Sequence, residues 1–209
     1  MNVIEKLKYH QENELDEWIN SDEKESRKFS KELVKYSKAN LNEIKQYCIN
    51  TIPSEFSSLS IIYEAFSEFS IDFNEFLFEE IQRVVNLAKN KRIKPEYLEV
   101  LTDIETEDIY SKTENIYIDI MEFLTSNLNF QNEPKFNIEL LDVISWFLIE
   151  LDEDDEISEA ETWINRIIEL ANNADVSVKI KAREVLKESD ISSSLPPRSI
   201  IEKIKGIFK

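Results

Sequence analysis

Glycine is almost missing from this 209-residue chain: Gly206 is the only one, and five prolines complete a short stock of turn formers. A single glycine excludes a P-loop and a Rossmann fingerprint, which both need several glycines close to phosphate. Parallel α/β folds and most β-sandwiches use glycine freely at turns, so its scarcity favours helices joined by short polar loops. Cys48 is the only cysteine, which excludes an intramolecular disulfide and a cysteine-built zinc site. His10 is the only histidine, so a di-iron bundle with Glu-x-x-His on two helices cannot be assembled. No run approaches the ~20 apolar residues needed to cross a bilayer. The opening "MNVIEKLKYHQENELDEW" is charged at once and lacks the apolar core of a signal peptide. These absences lead us to expect a cytoplasmic protein with no bound cofactor and no catalytic centre.

What is present is apolar enough to fold: 42% of residues are hydrophobic and 11% aromatic, above the range of disordered chains. The formal charge is −18, unfavourable for binding nucleic-acid phosphates or anionic membranes. That charge is concentrated. Between Glu99 and Glu161 there are 19 acidic residues against two basic ones, Lys112 and Lys135. The rest of the chain is nearly neutral, with 24 acidic and 23 basic residues.

Helical periodicity recurs along the chain and predicts an all-α fold, a multi-helix bundle or an irregular HEAT-like solenoid of roughly nine to ten helices. A first helix is expected from about Asn2 to Ile19, with Ile4, Leu7, Leu15, Trp18 and Ile19 inward. Phe29, Leu33 and Tyr36 stripe a very charged second helix. Asn40 with Glu43 has capping-box spacing for a third. Pro53 marks a break and a helical start, and Asp72 with Glu75 forms a further capping pair ahead of Phe73, Phe76, Leu77, Val84 and Ala88. The basic "KNKRIKPEY" precedes a helix near Pro95, and Ser111 with Glu114 opens the next. "IYIDI" alternates like a strand, but no neighbouring strand or hairpin turn accompanies it, so helix is assigned. "NIELLDVISWFLIEL" is the most apolar segment and is expected to be a central buried helix. Ser158 with Glu161 caps its successor. One helical domain is expected over 1–191, with a subdivision near 90–95. A "SSSLPP" linker and a C-terminal amphipathic helix carrying Ile200, Ile201, Ile204 and Phe208 fill 192–209.

Residues 167–189, "IIELANNADVSVKIKAREVLKES", resemble a HEAT-type repeat. The matching positions are Ile168 and Leu170 on one helix, Asp175 in the turn, and Val178, Lys179, Ala182 and Leu186 on the second. Asp175 can cap exposed amides, and Ala182 permits close helix approach. No second copy recurs at a fixed period. The resemblance implies macromolecular binding; the DNA-glycosylase branch of such proteins has basic surfaces, unlike this chain.

Asp152, Glu153, Asp154, Asp155 and Glu156 form an unbroken acidic row. An EF-hand starting at Asp152 would need Gly at its sixth position and Glu at its twelfth, where Ile157 and Trp163 stand. A looser cation site through Asp152, Asp154 and Glu156 stays open, as do a His10–Glu14 helical face and a Cys48–His10 dyad. Phe56, Tyr63, Phe66, Phe69, Phe73, Phe76 and Phe78 read chiefly as core packing, with Phe78 the exposed exception.

The acidic row reads locally as a solvated loop whose charge also suits the following helix N-terminus. The wider imbalance asks for more, because a face of one sign focuses potential and steers a basic partner. Glu99, Asp103, Asp119, Glu122 and Asp142 are expected to line it. The partner-binding candidates are Glu105, Glu107, Asp108, Glu150, Asp152, Glu153, Asp154, Asp155, Glu156 and Glu159. In physical character the chain is similar to the immunity proteins that neutralise basic nucleases and other toxins. The expected function is therefore docking of a basic toxin or nuclease through the 99–161 face. A nucleic-acid mimic, a HEAT-like adaptor or chaperone gripping a peptide, and, last, an enzyme remain as alternatives.

Overall fold

A computed structural model describes residues 2–12, 23–54, 57–105, 109, 113–149 and 160–188. Among the described residues the fold is all-α with no strand, as the periodicity predicts. The helices are α1 (Val3–Glu12), α2 (Glu23–Asn50), α3 (Leu59–Phe69), α4 (Asn74–Lys89), α5 (Glu114–Ser126), α6 (Pro134–Ile149), α7 (Ala160–Asn173) and α8 (Val176–Glu188). Two 3-10 segments, Ile71–Phe73 and Pro95–Asp103, join α3 to α4 and follow α4. No helix among the described residues is long and apolar enough to cross a membrane.

Local chemistry sets the helix ends. Asn2 and Glu5 cap α1 reciprocally: Glu5 N donates to Asn2 Oδ1 and Asn2 N to Glu5 Oε2, both at 2.8 Å. The Asn40–Glu43 pair behaves differently from the expected box. Helix α2 runs through Asn40 with a kink (φ −134°, ψ 33°), and the Asn40 amide donates to Tyr36 O at 3.0 Å. Glu43 accepts from the Tyr36 hydroxyl. The side chains thus brace the bend where two helices were expected. Helix α3 begins at Leu59 rather than at Pro53, because Gln11 Oε1 accepts from Ser58 N (2.9 Å) and Ser58 Oγ (3.0 Å). Those bonds hold the approach to α3 outside the helix. Ahead of α4, Ser70 caps the 3-10 segment Ile71–Phe73 by accepting from Asp72 N, and Asp72 itself pairs with Lys38 at 2.7 Å; α4 starts after Phe73 with no side-chain cap.

Buried side chains from α1 to α8 form one contiguous hydrophobic cluster, which continues across residues 90–95 through Ile93 and Leu98. Helix α3 is buried on nearly every side, leaving Ser60, Glu64 and Glu68 as a polar stripe at i+4 spacing. Phe66 stacks on Phe73 (centroids 4.1 Å apart, 20°) and meets Phe76 edge-on at 5.4 Å. Aromatic pairs of this kind add about 0.5–1.5 kcal/mol beyond their buried area. The aromatic run is core, as read from sequence, except that Phe78 is half-buried against Phe123 rather than exposed. Phe56 lies outside the described residues.

Helix α6 is central, as expected: Leu140, Leu141, Ile144, Phe147 and Leu148 are all buried. It packs on Pro95–Asp103 and on α8. Residues 116–120, the strand-like alternation, are helical within α5. Helices α7 and α8 form a hairpin, with Lys179 N donating to Asp175 O at 2.8 Å. Leu170, Val178 and Ala182 face its interior, while Ile168 and Leu186 are half-buried.

Candidate interaction surface

The segment Pro95–Asp103 lies between α3 and α6, packed on both. That placement follows from its apolar residues: Leu98, Val100 and Leu101 are buried, which turns Glu96, Glu99 and Asp103 toward the surface beside the polar edges of the two helices. Helix α3 contributes Glu64 and Glu68, and α6 contributes Glu139 and Asp142. Glu105 follows directly, its N–H donating to Ser67 Oγ at 2.9 Å.

These eight carboxylates form a continuous strip. Burial pushes the Glu64 carboxyl above its ordinary value, and Asp103, Glu68 and Glu105 push it further. Asp103 is raised by burial and by Glu99, against a hydrogen bond from Ser60. Glu139 is raised by burial and then by Asp142, Glu96 and Glu99, with Lys135 opposing. Glu64 and Glu139 each feel carboxylates of the Pro95–Asp103 segment, so like charge is shared across three packed segments.

Among the described residues, Arg27 meets Glu68 at 2.8 Å, Lys135 meets Glu96, and Lys181 meets Asp142. Trp146 stands on the α6 stripe that carries Lys135, Glu139 and Asp142. Its indole is 37% exposed while Nε1 donates to Ile104 O at 3.2 Å, which fixes the ring.

Of the residues expected to line or form the face, Glu99, Asp103, Glu105 and Asp142 fall on this strip. Glu122 turns instead to Arg166 of α7 at 2.7 Å, which holds its carboxyl below the ordinary value, and Asp119 is exposed on the same helix. Glu107, Asp108, Glu150, Asp152, Glu153, Asp154, Asp155, Glu156 and Glu159 lie outside the described residues. Glu96 escapes a reading that starts from local charge excess because Arg92 and Lys94 stand beside it, and Glu64 and Glu68 escape because they lie far outside the 99–161 stretch. The Glu64–Glu68 spacing on an otherwise apolar helix is the signal that could have found two of them.

The other sequence candidates sit in structural surroundings. Cys48 is fully buried, and burial pushes its thiol well above the ordinary value, away from nucleophilic use. His10 packs between Tyr9 and Phe29, with ring centroids 5.8 and 6.0 Å away. Among the described residues no three His, Cys, Asp or Glu side chains are grouped to hold a metal ion. No family model, no curated protein and no solved structure matches this chain.

Proposed function

We propose that this protein is a binding module that docks a basic protein, acting as an immunity-type inhibitor of a cationic toxin or nuclease. What supports the reading is the strip itself: carboxylates of α3, Pro95–Asp103 and α6 lie side by side, and burial with mutual repulsion holds Glu64, Asp103 and Glu139 above their ordinary pKa. Carboxylates crowded in this way gain when a partner's Lys or Arg side chains relieve their mutual repulsion. Trp146 supplies a rigid aromatic face at the edge of that field, suited to a guanidinium by cation–π contact. The partner's cations would be occupied and its active site covered.

The acidic row from Asp152 to Glu156 extends the same field in this proposal and accelerates encounter. The test is affinity capture from the native host with the wild-type chain and with Glu64→Lys/Glu99→Lys/Glu139→Lys as paired baits. A basic protein retained by the first and lost by the second is the expected result. A partner held equally by both baits removes the strip from the interface. Charge reversal at Asp152, Asp154 and Asp155 should slow association with the same partner, and unchanged kinetics would remove that row.

A further inference from the structure

The basic segment that follows α4 ends in strained backbone beside a cavity. Helix α4 closes with Lys91 N donating to Ala88 O (2.9 Å) and Arg92 N to Leu87 O (2.8 Å), the Schellman arrangement. That closure needs a left-handed residue, a position that favours glycine, and here it is Lys91 at φ 56°. A lysine in this conformation costs stability that glycine would not, so its ammonium group needs another reason to be there.

A cavity of about 430 Å³ opens next to it, between the end of α4 and the first turn of α6. Its floor is apolar and buried, made by Ala88, Ile93 and Phe136. Its rim carries Lys89 and Lys91. Lys89 Nζ is held by Asn127 Oδ1 at 2.8 Å, and Lys91 Nζ meets the Glu133 carboxylate at 3.0 Å. The size lies within the range of small-molecule sites. Lys91 already pairs with a carboxylate there, while the floor offers contact only to hydrocarbon.

We infer that this cavity binds a small organic carboxylate, its hydrocarbon body on Ile93 and Phe136 and its charge on Lys91 in exchange for Glu133. The site lies apart from the centre of the acidic strip and does not depend on the docking proposal. An inorganic anion would gain nothing from the floor, and a neutral analogue nothing from Lys91.

The test is NMR titration of the full chain with 3-phenylpropionate, 3-phenylpropanol and inorganic phosphate. Saturable shifts at Ile93, Phe136 and Lys91 are expected with the carboxylate. The alcohol and phosphate should each bind about tenfold more weakly or not at all. Lys91→Gly should unfold no more readily than the wild type, since it relieves the strained conformation, yet lose about tenfold in affinity. Glu133→Gln should tighten binding by freeing Lys91. No saturable shift, an equal response to the alcohol or to phosphate, or binding that survives Lys91→Gly overturns the inference.

Discussion

Arg83 grips Glu80 at two points inside the fold, Nε to Oε1 at 2.9 Å and Nη2 to Oε2 at 2.7 Å, while the Tyr63 hydroxyl donates to the same carboxylate at 2.8 Å. Burial opposes the guanidinium charge, but the bonds to Glu80 outweigh it and raise its pKa. The pair lies on α4 against the buried face of α3, so it fixes how those helices meet. Arg83→Met should destabilise the chain by about 3–5 kcal/mol, because it removes one partner of a buried ion pair and leaves Glu80 buried without it. Tyr63→Phe should cost less, about 1.5–3 kcal/mol for one bond to a charged group. Urea denaturation of both variants and of the double variant checks this; full additivity would mean that the three side chains do not act as a network.

The strip also dictates how stability responds to pH. Glu64, Asp103 and Glu139 have raised pKa values, so the folded chain holds those protons more tightly than the unfolded chain. Their stabilising contribution is complete below the ordinary carboxylate values of 4.5 and 3.8 and is lost as pH rises through the raised ones. Asp72, Glu96 and Glu122 are depressed by Lys38, Lys135 and Arg166, and act in the opposite sense at lower pH. The urea midpoint should therefore increase as pH falls from about 7 toward the ordinary carboxylate range, and then drop as the depressed groups protonate. Glu64→Gln/Glu139→Gln should raise the neutral-pH midpoint and flatten the first part of the curve. A midpoint that falls steadily from neutrality would contradict the repulsion described here.

Trp146 offers a direct probe of the local potential. In a Trp18→Phe background two tryptophans remain, Trp146 at 37% exposed and Trp163 fully buried. Caesium should quench the exposed component much more than iodide does, and added salt should narrow the gap. Equal quenching by the two ions would mean that no net negative field surrounds the indole.

Asn137 ties down the α5–α6 connection. Its Nδ2 donates to Asn129 O at 2.8 Å and its Oδ1 accepts from Asn132 Nδ2 at 3.1 Å, with the side chain almost fully buried. Asn137→Ala should cost about 1–3 kcal/mol, since it strands buried partners. Hydrogen exchange at the Asn129 and Asn132 amides should accelerate more than exchange in α6. A uniform change across the chain would show that the bonds do not act locally.

Much of this architecture was legible because apolar spacing is a local signal that tertiary packing reinforces. Leu140, Leu141, Ile144, Phe147 and Leu148 announce α6, and Leu170, Val178 and Ala182 announce the last hairpin. Helix starts were read less well. Pro53 and Asp72 look like starts in isolation, whereas Gln11 reaching Ser58 and Ser70 capping Asp72 N decide the outcome, the first from 47 residues away. The same limit divided the acidic surface. Counting along the chain finds Glu99, Asp103, Glu105 and Asp142 but passes over Glu64 and Glu68, which join them only when α3 packs on Pro95–Asp103.

The docking account is tested most directly by stopped-flow association of this protein with its captured basic partner across a range of ionic strength. Steering by a one-signed face predicts an association rate that falls by about tenfold or more from low salt to physiological salt, with the Glu64→Lys/Glu99→Lys/Glu139→Lys chain starting near the high-salt value. An association rate indifferent to salt, and identical for that variant, would contradict it.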